Sequence, residues 1–233
     1  MTPSREPRRA LSESAENYLK AIHQLGQSSE RVSTNALAEQ FGVAPASATG
    51  MLKKLASERP KLVDYLPRYG VKLTPLGRRT ALEMLRHHRL IELYLHEALG
   101  YSLDEVHAEA ERLEHFISEE FEDRIAAYLG HPEFDPHGEP IPSKDGRCAD
   151  APGNCLTSLP IGQSARVARV IDKDPALLRY LTGLGIKPRA TVTITSKAPF
   201  DGPLHIRVGR AKNGPTHAIG LQVATQVYVE THE

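Results

Sequence analysis

His88, Glu92, His107, Glu111, Glu114 and His115 place six potential metal ligands within 28 residues of this chain. Side chains four apart lie on one face of a helix, so His88 and Glu92 can converge on one ion. The run HAEAERLEH, residues 107–115, repeats that placement with His107 and Glu111 and adds Glu114 and His115 one turn later. Imidazole and carboxylate ligands without a thiolate suit a borderline-to-hard divalent ion such as Mn2+ or Fe2+. A lone His/Glu pair on an amphipathic helix is usually surface decoration; repetition on two successive helices is what favours ligation here. The neighbours His87, His96, Glu109 and Glu119 read as surface groups.

The elements that must carry these residues follow from periodicity and punctuation. Residues 12–26 open with Ser12 or Ser14, carry Tyr18, Leu19, Ile22 and Leu25 at helical intervals, and stop at Gly26. Ser33 reads as the cap of a short helix containing Leu37 and Phe41, broken at Gly42-Val43. A second helix, PASATGMLKKLAS, begins with Pro45 in its first turn. Two short helices about a turn containing Gly describe a helix-turn-helix. LVDYLPRYGVKLT then reads as a hairpin around Pro67-Arg68-Tyr69-Gly70, completing a winged-helix order. Thr74 caps the next helix, with Pro75 first and leucines through about residue 98, and Gly100 stops it. A further helix opens at Leu103-Asp104 and is expected to run past His115 to about residue 118, with another ending near Leu129. Residues 130–154 have the Pro, Gly and charge content of a linker. ARVARVI, ATVTITS, LHIRVG and QVYVE alternate as strands, with one short helix near 175–182. The expectation is an α+β multidomain chain: winged helix-turn-helix over 1–74, a helical domain over 75–142, a linker over 143–156 and a β-rich domain over 157–233.

The net charge of zero conceals a strong asymmetry. Residues 1–80 hold 13 Lys/Arg against 7 Asp/Glu, whereas residues 81–140 hold 4 against 15 and seven of the eleven histidines. A basic head suits a polyanion and an acidic, His-rich middle suits cations. No apolar run approaches the ~18 residues of a membrane span, the N-terminus lacks the apolar core of a secretory signal, and Cys148 and Cys155 make no disulfide framework. Cytoplasmic residence is the expectation.

In a helix-turn-helix the second helix enters the major groove. Its first turns hold Ala46, Ser47, Thr49 and Gly50, small enough for close approach, with Ser47 and Thr49 able to hydrogen-bond to bases or phosphates. Lys53 and Lys54 follow where phosphates would lie, and Arg68 at the hairpin tip is placed for phosphate or minor groove. Thr34, at the start of the preceding helix, completes the candidate DNA-binding set. No Arg sits at the helix start for bidentate guanine readout, so phosphate contacts and DNA shape must contribute more. Winged helices also serve as protein-interaction modules, but the basic charge of this segment favours DNA.

These residues resemble the diphtheria toxin repressor family of metal-dependent transcriptional repressors, which has iron-dependent and manganese-responsive branches. The likeness runs from about residue 12 to the end. It is carried by the winged helix, RHHRLIE (86–92), EVHAEAERLEH (105–115), HPEFDPHGEPIP (131–142) and LTGLGIKPRATVTI (181–194). It implies a homodimer built on a helical metal-binding and dimerisation domain, with a C-terminal SH3-like β-barrel. It also implies that His88, Glu92 and His107 form one metal site, and Glu111, Glu114 and His115 a second. Iron-type members carry cysteine at the Glu111 position and manganese-type members glutamate; a carboxylate there shifts preference toward Mn2+, with Fe2+ second. At the first-helix ligand position stands Asn17, offering a carbonyl oxygen, and Lys20 occupies the place of another manganese-type carboxylate. Iron-type members draw ligands from the SH3-like domain, where Asp172 or Asp174 could serve.

The resemblance thus implies a metal-sensing repressor of metal-uptake genes, bound as a dimer to double-stranded operator DNA, its two recognition helices about one helical turn apart. Two other classes remain. A di-metal carboxylate enzyme would want matched Glu-x-x-His motifs on two helices, and the order Glu-x-x-Glu-His with His-x-x-x-Glu fits that poorly. An interaction module would use the SH3-like domain to hold a Pro-rich peptide. No nucleophile constellation or phosphate-binding glycine loop argues for an enzyme.

Overall fold

The computed structural model describes residues 11–27, 29–171 and 174–231. They form two compact units, one made of residues up to 86 with 144–147, the other of residues 87–143 and those from 148 onward.

In the first unit, helices α1 (Glu13–Leu25), α2 (Thr34–Gln40) and α3 (Pro45–Ser57) precede strands β1 (Val63–Leu66) and β2 (Gly70–Leu73). Ser12 and Ser33 cap α1 and α2 by accepting the N–H groups of Ala15 and Ala36, satisfying donors that a helix start leaves orphaned. Gly42 takes φ +61 in the tight turn to α3, a conformation that costs glycine little. Leu19, Ile22, Leu37, Ala48, Leu52, Leu55, Val63 and Val71 form the core, and Tyr18 stacks on Phe41 at 4.3 Å between centroids. The β1–β2 hairpin pairs Val63 with Leu73 and Leu66 with Gly70. It is tied down by reciprocal backbone bonds between Val32 and Val71, 2.9 Å each, and by Arg31 on Asp64 at 2.6 Å. The hydrogen bond from Arg31 holds the Asp64 carboxyl below the usual carboxylate range. Helix α4 (Pro75–Leu99) begins here, with Thr74 accepting from the Gly77 N–H.

The second unit takes up the later half of α4, then α5 (Val106–Leu113) and α6 (Glu119–Tyr128). Ile91 and Leu95 pack against Val106 and Ala110, and Leu90 against Ile125, Ala126 and Ile141. Contrary to the expected run to about residue 118, α5 ends at Leu113. Glu114 caps it, Phe116 N–H turns back to the Leu113 carbonyl, and Ser118 starts α6 as its N-cap. Residues 131–142, linker-like by composition, are instead folded. Asp135, Pro136, His137, Gly138 and residues 140–142 are buried. Asp135 Oδ1 accepts the backbone N–H groups of His137 at 2.8 Å and Glu139 at 2.9 Å, an Asx-type closure that supplies hydrogen bonds a proline-rich loop lacks.

The C-terminal domain is a six-stranded antiparallel sheet: β3 (Asn154–Cys155), β4 (Ser164–Val170), β5 (Thr191–Lys197), β6 (Leu204–Val208), β7 (Thr216–Ile219) and β8 (Val227–Glu230). The strand order is β3-β8-β4-β5-β6-β7. The edge strands β3 and β7 share no ladder among the described residues, so this SH3-like sheet is open rather than closed. Helix α7 (Pro175–Gly183) and the single turn α8 (Leu221–Ala224) connect strands. Val167, Leu178, Leu181, Val192, Ile194, Ile206 and Val229 fill the core. A bulge between Val167 and Arg169 in β4 re-aims Arg169, which lies over the Tyr228 ring and pairs with Glu139 at 2.8 Å. No helix among the described residues is long and apolar enough to cross a membrane.

Candidate functional site

Helix α4 carries His88 and Glu92 four residues apart, and α5 carries His107 and Glu111 with the same spacing, so each helix offers a pair on one face. Glu114 follows at the α5 cap. These side chains meet around His88, which is buried. Its Nε2 lies 2.9 Å from Glu92 Oε1 and 3.1 Å from His107 Nδ1. Its Nδ1 lies 2.5 Å from Glu114 Oε2 and 3.9 Å from Glu111 Oε1. His107 Nδ1 is in turn 3.1 Å from Glu92 Oε1, and its Nε2 is 3.9 Å from Glu111 Oε1. Two ligand groups result, His88–Glu92–His107 and His88–Glu111–Glu114, and within each the ligand atoms lie within 4.8 Å of one another. His88 belongs to both groups. His115 stays outside both groups, its Nε2 3.5 Å from Glu114 Oε1.

Glu92 is 0% exposed. Burial alone would raise its carboxyl, but the charge of His88, hydrogen bonds from His107 and His88 and the nearby His137 outweigh this and hold it well below the usual range. A buried carboxylate kept ionised needs compensating positive charge. Its Oε2 is buried and has no hydrogen-bond partner among the described residues, which suits a cation taken up among imidazoles and carboxylates. The residues present fit a divalent ion.

The structure adds two residues that sequence reasoning did not single out. Asp135 and His137, both buried, join Glu92 in a third group whose ligand atoms lie within 4.8 Å of one another. His137 Nε2 donates to the Leu103 carbonyl at 2.9 Å. That bond aims Nδ1 toward Glu92 Oε2, 3.7 Å away. The signal available was the Asp-Pro-His-Gly order in a run otherwise read as linker. Arg89 flanks the group, its Nε 3.6 Å from Asp135 Oδ2 and its NH2 3.4 Å from Glu139.

Of the other expected ligands, Asn17 lies on α1 in the first unit, and its Oδ1 is buried without a hydrogen-bond partner among the described residues. Lys20 is buried on the same helix. Asp174 serves as the N-cap of α7, accepting the Ala176 N–H, and Asp172 lies outside the described residues. His87, expected at the surface, is buried, because this part of α4 is covered on more than one side.

On α3, Ala48, Leu52 and Leu55 face the core. Ala46, Ser47, Gly50, Lys53 and Lys54 form an exposed stripe at helical spacing. Lys53, Lys54 and Arg68 make no ion pair among the described residues, which leaves three cations for an external anion. Thr49 is half-buried and its hydroxyl donates to the Pro45 carbonyl at 2.9 Å, so it can face DNA only as an acceptor. Thr34 is the first residue of α2. Arg68 sits at φ +73 at the hairpin tip, a position that favours glycine; an exposed arginine held there puts charge at the end of the wing.

Residues 10–71 match the model of the iron dependent repressor, N-terminal DNA binding domain, and residues 74–143 that of its metal binding and dimerisation domain. Residues 155–231 match the FeoA domain. The iron-dependent repressor IdeR of Mycobacterium leprae is 31% identical over 196 residues, covering 79% of this chain and 84% of that protein. The diphtheria toxin repressor of Corynebacterium glutamicum is 29% identical over 198 residues, covering 80% and 86%. Among solved structures, a manganese-dependent transcriptional repressor in complex with manganese is 40% identical at a TM-score of 0.83, covering 94% of this chain and all of that one. ScaR with bound Cd2+ is 32% identical at 0.76, covering 94% and 99%.

Proposed function

The chain belongs to the iron-dependent repressor family of metal-dependent transcriptional repressors, and from that premise we propose that it is a cytoplasmic, homodimeric, Mn2+-responsive repressor of metal-uptake genes. Fe2+ is the second candidate ion. The observation that carries this reading is the convergence of His88, Glu92, His107, Glu111 and Glu114 on two helices, with a carboxylate rather than a thiolate at Glu111. The likeness to a repressor solved with manganese supports the same choice. His88, Glu92 and His107 hold one ion, with Asp135 and His137 on the far side of Glu92. Glu111, Glu114 and His115 would hold the second. A bound ion would supply the positive charge that offsets repulsion among these carboxylates.

Metal can act only through a higher affinity for the DNA-competent arrangement. In that arrangement Ser47 meets a base edge or phosphate and Thr49 accepts from a base edge, while Lys53, Lys54, Arg68 and Thr34 contact the backbone. The homodimer is supported by large apolar side chains left exposed between Leu113 and Tyr128, including Phe116 at 73% and Tyr128 at 69%.

Glu111→Ala or His115→Ala is expected to abolish metal-dependent operator binding while leaving a folded dimer, as read by fluorescence anisotropy beside size-exclusion chromatography. Variants that bind operator as metal-loaded wild type does would overturn the assignment of that site.

A further inference from the structure

His87 and Glu122 are buried polar side chains outside the proposed ligand set. His87 Nε2 lies 3.0 Å from Glu122 Oε2 on α6, and His87 Nδ1 lies 3.3 Å from the backbone carbonyl of Glu114. That carbonyl stands at the C-terminal cap of α5, where helix geometry leaves oxygen atoms without intrahelical donors. Both nitrogens of the ring face acceptors. A donor at a helix C-terminus is also favoured by the macrodipole.

We propose that the His87–Glu122 pair is a positioning device for the Glu114–His115 turn, an assignment that rests on the metal-centre reading above. The carbonyl it grips belongs to the peptide joining those two ligand residues, so its orientation sets where the Glu114 carboxylate and the His115 ring can point. Adjacent residues of α4 thus hold the same turn twice. His88 holds the Glu114 side chain, and His87 holds its main chain. Glu122 anchors that grip to α6, whose neighbouring Ile125 and Ala126 are packed in the core and cannot drift. The pair prepays, in the metal-free protein, the ordering of a turn that follows the end of α5.

The test is Mn2+ titration of the full chain, read as free Mn2+ by electron paramagnetic resonance, with hydrogen exchange of residues 113–118 in metal-free protein. Partners of ligands commonly change affinity by ~10–100-fold when removed. Glu122→Ala is expected to weaken Mn2+ binding within that range and to speed exchange at 114–117. Glu122→Gln keeps an acceptor for His87 and is expected to recover most of both. Should Glu122→Ala fail to fold, His87→Gln supplies the same comparison. Wild-type affinity and exchange in these variants, even with a lower Tm, would reduce the pair to packing and overturn the proposal. Wild-type protein that binds no Mn2+ would instead overturn the metal-centre reading, and the pair's role with it.

Discussion

His88→Ala is expected to remove metal-dependent operator binding and to lower Mn2+ affinity more than any other single ligand substitution. Its two nitrogens serve both halves of the cluster: Nε2 faces Glu92 and His107, and Nδ1 faces Glu111 and Glu114. Glu111→Ala leaves His88, Glu92 and His107 in place, whereas His88→Ala breaks both groups at once. The loss of Mn2+ affinity should exceed the ~10–100-fold typical of residues that only support a ligand. Metal-free protein should also suffer, because Glu92 and Glu114 are left as buried carboxylates without their shared imidazole; breaking a buried pair typically costs ~3–5 kcal/mol. Isothermal titration with Mn2+ and the Tm with and without metal check this. Wild-type Tm should rise on adding Mn2+ and that of His88→Ala should not. Mn2+ affinity within tenfold of wild type would contradict this shared role of His88.

Gly138→Ala is expected to be among the most destabilising single-methyl additions in the second unit. Gly138 has φ +90, and a Cβ there would stand 2.1 Å from the Ala168 carbonyl oxygen and 2.9 Å from the Arg169 Cα. These are backbone atoms of β4, which cannot rotate away. Left-handed strain and overpacking together amount to roughly 2–5 kcal/mol. The neighbouring bond from Val170 N–H to the His137 carbonyl, 3.0 Å, should open with them, loosening the loop that carries Asp135 and His137. Urea unfolding and hydrogen exchange at residues 135–141 read the effect. Wild-type stability would mean that the close approach of this loop to β4 is not present in solution.

Legibility tracked how local each signal was. The winged helix could be read because its signals are short-range: Ser12, Ser33 and Thr74 as caps, Gly42 in the turn, Pro67-Arg68 in the hairpin. The six candidate ligands were visible as spacing, and five of them lie in two adjoining groups. The end of α5 was not visible, because the helical period continues through HAEAERLEH while tertiary partners take over Glu114. His88 takes its carboxylate and His87 its carbonyl. His87 looked like surface for a related reason. A polar residue on a helix covered from several sides carries no mark of burial until its partner, Glu122, 35 residues away, is known. Residues 131–142 have loop composition, yet Asp135 satisfies their backbone internally and Ile141 enters the core. Strands β4, β5, β6 and β8 announced themselves by alternation, whereas β3 and α8, two and four residues long, carry too little pattern to read.

Control of DNA binding by metal is tested most directly by one titration. Operator-length duplex from upstream of a metal-transporter gene would be followed by fluorescence anisotropy at one fixed salt concentration. Chelated protein would be compared with protein given Mn2+, Fe2+ without oxygen, or Zn2+. The predicted result is weak binding in chelator and tight binding that appears at a lower concentration of Mn2+ than of Fe2+. Equally tight binding in chelator would contradict metal control, leaving a DNA-binding protein whose His/Glu cluster serves another purpose.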